Sequence, residues 1–248
     1  MTRLSVILLI SVFLFACHSA NRKPDDHIVS NLKTPDTVVP FAGFWLNETY
    51  VKKIEHTRSP LESQHASANC CLFIPASTLQ PASMASNLHE GGPDMVIVKK
   101  DNSFQFFHKE NDTVSHLAYD IQIISANKLK VGKQTFIKTN ENFLADILFS
   151  GEYKDTIGTT IQFSKDGHIT GLGTYSVYDV VYDYLGPGME VDLIDMGQNP
   201  KNMEQFGFKF DQDTLTIHKL NCLETDSTDN SCLEVSLGDI KYKLIRVH

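Results

Sequence analysis

The sequence lacks the charge clusters and the motifs that mark many functional classes. Lys and Arg number 22 against 30 Asp and Glu, for a net charge of −8, and no run of basic residues occurs. Nucleic acids and anionic lipid head groups require concentrated positive charge, so no nucleic-acid partner is expected. Gly-x-Ser-x-Gly, P-loop and His-Glu-x-x-His patterns are absent, and the 10 histidines are scattered. We therefore predict no catalytic residue, no metal site and no cofactor.

The chain opens with a cationic and apolar leader. Arg3 precedes an apolar stretch over residues 4–16, which is too short to span a bilayer and is typical of a secretory signal peptide. The segment Leu14-Phe15-Ala16-Cys17 resembles the lipobox of bacterial lipoprotein precursors. The resemblance implies cleavage before Cys17, lipidation of its sulfur and attachment to a membrane. The alternative is an ordinary signal peptide with a cysteine near its end.

A polar segment follows the leader. Residues 17–40 contain three prolines and no apolar period, which predicts a flexible tether ahead of one folded domain over residues 41–248. Some surface-export signals place acidic residues directly after the lipidated cysteine, whereas His18–Lys23 follows it here. We therefore expect a location in the cell envelope, at the outer membrane and facing the periplasm.

Short apolar runs with alternating polarity dominate the remainder of the chain. Asn47 is a predicted N-cap for one short helix that ends at Ser59-Pro60, and residues 61–93 read mainly as a long loop. Strand-like runs then follow one another to the C-terminus without a βαβ rhythm. The prediction is an all-β fold, an antiparallel meander that forms one barrel of about eight to ten strands with long loops.

The Gly43-x-Trp45 signature at the start of the strands resembles that of lipocalins and related calycin barrels. Gly151-Glu152-Tyr153 is a weak internal echo of it. Parts of the second half resemble lipocalin-like lipoproteins of Gram-negative bacteria: residues 163–167, 171–172, 175–184 and 185–189. The resemblance implies that Trp45 plugs the closed end of a barrel whose interior holds a small apolar ligand.

Tyrosines cluster in the strand-like run over residues 175–184. Tyr178, Tyr182 and Tyr184 fall on one face of it. Their phenol rings could bind a ligand by stacking and hydrogen bonding. The alternative is that these rings form a core and an outer packing layer.

Four cysteines follow Cys17. Cys222 and Cys232 flank a polar loop between two strand-like runs, which favours a disulfide in an exported protein. Cys70 and Cys71 are adjacent, and neighbours in an extended strand point to opposite faces, so they are not expected to bond to each other. Cross-pairing with Cys222 or Cys232 is the competing arrangement. No Cys-x-x-Cys pattern supports a metal site.

Two further functions compete with ligand binding. The chain could dock a protein partner, as an accessory subunit or an inhibitor, through the loops at Gly91–Pro93 or Gly186–Gly188. It could also be a hydrolase that uses a pair of carboxylates as acid and base. The candidate carboxylates lie on two neighbouring strand-like runs: Asp179, Asp183, Asp192 and Asp195.

Overall fold

The computed structural model describes residues 36–88, 91–110, 113–140, 142–182, 184, 190–228 and 231–248. The leader, Cys17 and most of the tether lie outside the described residues. The described part is dominated by antiparallel strands with three short helical segments, so the predicted all-β antiparallel class is confirmed.

The first half forms a closed barrel of eight strands in which each strand pairs with the next along the chain. The barrel closes because the first and last strands pair, with Trp45 opposite Lys138. The strands are β1 (Gly43–Asn47), β2 (Cys71–Ile74), β3 (Ala82–Ala85), β4 (Asp94–Lys100), β5 (Ser103–Glu110), β6 (Thr113–Ser125), β7 (Lys128–Val131) and β8 (Gln134–Thr139).

The second half forms another eight-stranded sheet, in which the strands again pair in chain order except between the third and the fourth. Its first and last strands also pair, with Tyr153 opposite Arg246. The gap between its third and fourth strands is bridged at His168 and Val177, where the Ile169 amide donates to the Ser176 carbonyl over 2.9 Å. The strands are β9 (Gly151–Lys154), β10 (Thr160–Phe163), β11 (Ile169–Thr170), β12 (Val177–Val180), β13 (Leu193–Asn199), β14 (Asn202–Asp211), β15 (Thr214–Thr225) and β16 (Cys232–Arg246).

The described strands therefore form two eight-stranded sheets, whereas the sequence analysis assigned them to one barrel. We call the two halves the first barrel and the second barrel. The division falls at the internal echo, since Gly43 begins β1 and Gly151 begins β9. Both glycines have a positive backbone φ, 135° and 145°, which residues with a Cβ rarely adopt. Alternating polarity identifies strands, but it does not say which two strands close a barrel.

Both barrel interiors are filled by the chain's own side chains. In the first barrel Trp45, Phe106 and Phe136 are fully buried, and the Trp45 indole donates to the Phe41 carbonyl over 3.1 Å. In the second barrel Phe149 contacts four other rings at centroid distances of 5.0–5.7 Å: Phe163, Tyr178, Phe208 and Phe210. These large aromatic side chains account for much of the apolar surface that is removed from water inside each barrel, and this burial stabilises the fold.

Helix α1 (Glu48–Thr57) follows β1 of the first barrel and packs against the second barrel. It begins where predicted, because the Asn47 side chain accepts from the Thr49 amide over 2.9 Å. Its buried face, Tyr50, Val51 and Ile54, belongs to the same apolar cluster as the core of the second barrel. The short helix α2 (Pro60–Ser63) follows it, and a π-helix (Ala145–Phe149) leads into β9.

Arg58 fastens the end of α1 to the second barrel. Its Nη2 donates to the Leu148 carbonyl over 2.8 Å, and its Cζ lies 3.8 Å from the centroid of the Phe210 ring. Arg58 itself has φ 54°, which turns the chain out of the helix toward α2.

Candidate functional site

A cleft of about 280 Å³ lies where the two barrels meet. We call it the inter-barrel cleft. The first barrel and its helices supply most of its wall, and the segment after β12 supplies two tyrosines. The described residues that line it are Tyr50, Gln64, His65, Ser67, Ala68, Cys70, Ser86, Asn87, Leu88, Tyr182 and Tyr184.

Two of the three predicted ligand-binding tyrosines, Tyr182 and Tyr184, line this cleft. Tyr182 is 41% exposed, so its ring is available to a bound molecule. Tyr184 is buried, and its hydroxyl lies 3.0 Å from the Val181 carbonyl and 3.2 Å from the Leu193 amide that donates to it. Burial, followed by the nearby Asp192 carboxyl, raises the pKa of Tyr184, so this phenol stays protonated.

Tyr178 does not line the cleft. Its ring packs against Phe149 and Phe163 inside the second barrel, and its hydroxyl donates to the Ser164 carbonyl over 2.7 Å. Burial raises its pKa. For this tyrosine the structure matches the alternative prediction of core packing. Tyr178 differs from Tyr182 because β12 ends at Val180, and the chain then leaves the sheet toward the first barrel.

Asp192 holds the cleft wall of the second barrel to helix α2. Its Oδ1 accepts from the Leu61 amide over 2.9 Å and lies 3.4 Å from the Tyr184 hydroxyl. Burial raises the pKa of Asp192. Ser59, which also hydrogen-bonds to this carboxyl, belongs with Leu61 and Tyr184 to the structural frame around the cleft, so the carboxylate has a positioning role.

The other candidate aspartates do not converge on the cleft. Asp179 lies opposite Asp195 in the β12–β13 ladder, and burial raises the pKa of Asp195. Neither residue lines the inter-barrel cleft. Asp183 lies outside the described residues. A hydrolase of the predicted kind needs two carboxylates in one cleft, and the described candidates Asp179, Asp192 and Asp195 do not share the inter-barrel cleft.

Cys70 lines the inter-barrel cleft, and Cys71 lies beside it. Their Sγ atoms are 3.1 Å apart, so the expectation that they point to opposite faces is wrong. The rule of alternation holds within a strand, whereas Cys70 lies just before β2, which begins at Cys71. Both thiols are free, so the competing cross-pairing with Cys222 or Cys232 does not occur. The hydrogen bond between them, together with burial, raises the pKa of Cys70, while the same bond lowers the pKa of Cys71.

Cys222 and Cys232 form the predicted disulfide, with a Cα–Cα distance of 5.7 Å. It joins β15 to β16 near the end of their long hairpin. The pairing of β15 with β14 ends at His218. On the other edge of the hairpin, β16 pairs with β9 only through Ile245 and Arg246. In this region residues 219–228 and 231–240 therefore pair only with each other, as a two-stranded ribbon that we call the stapled ribbon.

The loops proposed for partner docking have different outcomes. Gly91–Pro93 lines a depression of about 340 Å³ together with His108 and Tyr119. Gly186–Gly188 lies outside the described residues. Among the residues that the structure describes, no group of three or more His, Cys, Asp or Glu could hold a metal ion.

Comparisons of the chain with protein-family models, with curated proteins and with solved structures each give no match. The site is therefore interpreted from its own geometry. In the described part of the chain, no helix has the length and apolar character needed to cross a membrane.

Sequence reasoning missed the cleft residues contributed by the first barrel. Tyr50 lies on the apolar face of a helix, and its spacing indicates only burial. Gln64, His65 and Asn87 fall in the segment predicted as a long loop, a class that often forms binding surfaces. The prediction of a long loop identified this segment as a possible binding surface, but it did not predict that the segment lies beside Tyr182 and Tyr184.

Proposed function

We propose that this chain is a lipid-anchored protein of the cell envelope that binds a small, partly apolar ligand in the inter-barrel cleft. The observation that carries the binding proposal is the convergence of three tyrosines from two barrels, Tyr50, Tyr182 and Tyr184, around one concave surface. Aromatic rings and a few polar groups are the usual lining of small-molecule sites.

The cleft replaces the barrel interior as the proposed binding site. The resemblance to lipocalins implied a ligand inside a barrel, but large buried side chains occupy both interiors. A volume of about 280 Å³ is slightly below the range of ordinary ligand pockets, so the proposed ligand is small.

The lining also restricts the charge of the proposed ligand. None of the described lining residues is Lys, Arg, Asp or Glu. His65 is the only described lining residue with a side chain that can carry a positive charge, so a bound ion would lose hydration with little opposite charge to replace it. An uncharged molecule with an apolar body and a few hydrogen-bonding groups fits best, with amide and hydroxyl partners at Gln64, Asn87 and Ser86.

Native mass spectrometry of protein purified from its own envelope tests the binding proposal. We expect a co-purified small molecule on the wild type and its loss when Ala68→Trp fills the cleft. Phe73→Ala is the matched control, because Phe73 is an exposed ring on β2 that does not line the cleft. Wild-type protein that carries no bound molecule, or equal occupancy in Ala68→Trp, would contradict the proposal.

The anchor is tested separately. The proposal of a lipid on Cys17 rests on the leader and its lipobox-like end. Palmitate should label the wild type and not Cys17→Ala, and continued labelling of that variant would refute the anchor. Cell fractionation with surface proteolysis then distinguishes the periplasmic from the external side of the outer membrane.

The stapled ribbon favours a second candidate function, docking of a protein partner. From Leu220 through Asp239 the sequence has five acidic residues and no basic one. Leu223 on this ribbon is 60% exposed. A photo-crosslinking residue at 223 should capture an envelope partner that the same residue at the exposed position 157 does not. Capture that is equal at both positions would count against a docking ribbon.

A further inference from the structure

The adjacent thiols Cys70 and Cys71 are a feature that ligand binding does not explain. Their Sγ atoms are 3.1 Å apart, and no described residue pairs with either of them in a disulfide. Cys70 lines the inter-barrel cleft. The Cys71 Sγ lies 3.9 Å from the carbonyl of Asn87, which also lines the cleft. Cys70 is therefore part of the cleft wall, and the Cys71 Sγ lies 3.1 Å from its sulfur, behind the wall; the two residues are only 2% and 7% exposed, so the cleft is the side from which a small molecule would approach them.

We propose that Cys70 and Cys71 are a redox-modification site, which a low-molecular-weight disulfide oxidises to a vicinal disulfide and low-molecular-weight thiols return to the dithiol by the reverse exchange. The chain already carries one disulfide, at Cys222 and Cys232, so its stable form includes oxidised sulfur. The inference does not depend on the identity of a cleft ligand.

The reaction is two successive thiol–disulfide exchanges. In the first, a thiolate of the pair attacks one sulfur of the small disulfide, whose S–S bond breaks as a mixed disulfide forms and one small thiolate leaves. In the second, the other sulfur of the pair attacks across the 3.1 Å gap, the mixed disulfide breaks and a second small thiolate leaves. The pair is oxidised by two electrons, its two protons pass to the leaving thiolates, and the small disulfide is reduced to two thiols.

Backbone geometry makes the oxidised state reversible. Adjacent Cα atoms are about 3.8 Å apart, whereas ordinary disulfides join Cα atoms about 4.4–6.8 Å apart, so a vicinal disulfide is strained and easily reduced. The main chain of Cys70 is held on both sides, since its amide donates to Ala85 and its carbonyl accepts from Asn47 over 2.8 Å.

Thiol mapping of the folded full chain tests the proposal with cystamine as the disulfide. After treatment, free thiols are blocked with N-ethylmaleimide in denaturant and the chain is cut with trypsin. The fragment 59–99 contains both cysteines of the pair and no others. We expect the wild-type fragment to lose two hydrogen atoms, with no cysteamine adduct and no maleimide label.

The single variants test the two-step reaction. In Cys70→Ser or Cys71→Ser the second exchange cannot occur, so at least one variant should retain a cysteamine adduct on the fragment. The double variant Cys222→Ser/Cys232→Ser is the matched control and should oxidise at the pair like the wild type. Dithiothreitol should reopen the vicinal disulfide at a concentration about tenfold lower than it needs for Cys222–Cys232.

Three results would overturn the inference. The folded wild type could keep both maleimide labels and lose them only in denaturant. It could accumulate the cysteamine adduct without closing the ring. The pair could also fail to oxidise in the Cys222→Ser/Cys232→Ser control, which would place the exchange partner at the stapled ribbon.

Discussion

The guanidinium of Arg246 lies over the ring of Tyr153, with its Cζ 5.2 Å from the ring centroid and its Nη2 2.7 Å from the phenol oxygen. Lys138 and Trp45 have the same relationship in the first barrel, at 5.5 Å from Nζ to the ring centroid. In each barrel the two residues are direct partners in the ladder between the last strand and the first. Each barrel therefore closes with a cation over a buried aromatic side chain.

Replacing Arg246 should destabilise the protein strongly. Its Nη2 also donates to the carbonyls of Leu148 and Ser150, over 2.8 and 3.2 Å, so Arg246→Ala removes donors from several partly buried acceptors. We expect a loss of about 3 kcal/mol in the free energy of unfolding, measured by urea denaturation. Lys138→Ala is the matched control: Lys138 is exposed, and its loss should cost about 1 kcal/mol or less. Equal effects of the two variants would contradict this interpretation.

Trp45 should carry a large part of the stability of the first barrel. It is fully buried, and its indole nitrogen donates to the Phe41 carbonyl. Trp45→Ala should lower the free energy of unfolding by about 3–5 kcal/mol, and Trp45→Phe by less. Circular dichroism must follow the unfolding, because the chain has one tryptophan and loses this fluorophore. A loss below about 1 kcal/mol in Trp45→Ala would be inconsistent with a plugged barrel.

The stability of the inter-barrel contact should depend on pH through Asp192. Burial raises its pKa in the folded state, so folding favours the protonated carboxyl. The corresponding stability is complete below the unfolded pKa of about 3.9 and is lost as the pH rises through the folded pKa. Asp192→Asn removes this loss and keeps an acceptor for the Leu61 amide.

Urea denaturation of Asp192→Asn and the wild type across this pH range measures the effect. The Asn variant should gain stability relative to the wild type as the pH rises from about 4 to about 7. Asp192→Ala is the control, and it should lose about 1–2 kcal/mol because the Leu61 amide then lacks its acceptor. A gain by the Asn variant at low pH instead would reverse the assigned direction.

The disulfide should stabilise the stapled ribbon locally. Closing a loop with a sequence separation of 10 residues limits the entropy of the unfolded ribbon, an effect of about 2–3 kcal/mol. In Cys222→Ser/Cys232→Ser, hydrogen exchange should speed up at the amides of residues 219–225 and 232–240. Exchange in β9 and β10 should stay unchanged, since the ribbon projects beyond their pairing. Faster exchange throughout the second barrel would show that the disulfide supports the whole sheet.

The local features of this protein follow from the sequence. The Asn47 cap and the Ser59-Pro60 boundary predict helix α1, because capping involves residues a few positions apart. Alternating polarity predicts most of the strands, and a polar loop between two strands predicts the Cys222–Cys232 disulfide. These signals are short-range, so they remain legible without knowledge of the tertiary fold.

The tertiary structure alone decided how distant residues combine. Whether β8 or a later strand pairs with β1 depends on residues far apart in the chain. The alternation of apolar and polar residues therefore does not predict the division into two barrels. Docking of the second barrel on α1 then brings Tyr182 and Tyr184 beside Tyr50 and Cys70, while Tyr178 stays in the core. The sequence by itself determined the strands, the helix and the disulfide. The closure and docking of the barrels decided the cleft, because tertiary packing brings together residues that are distant in the sequence.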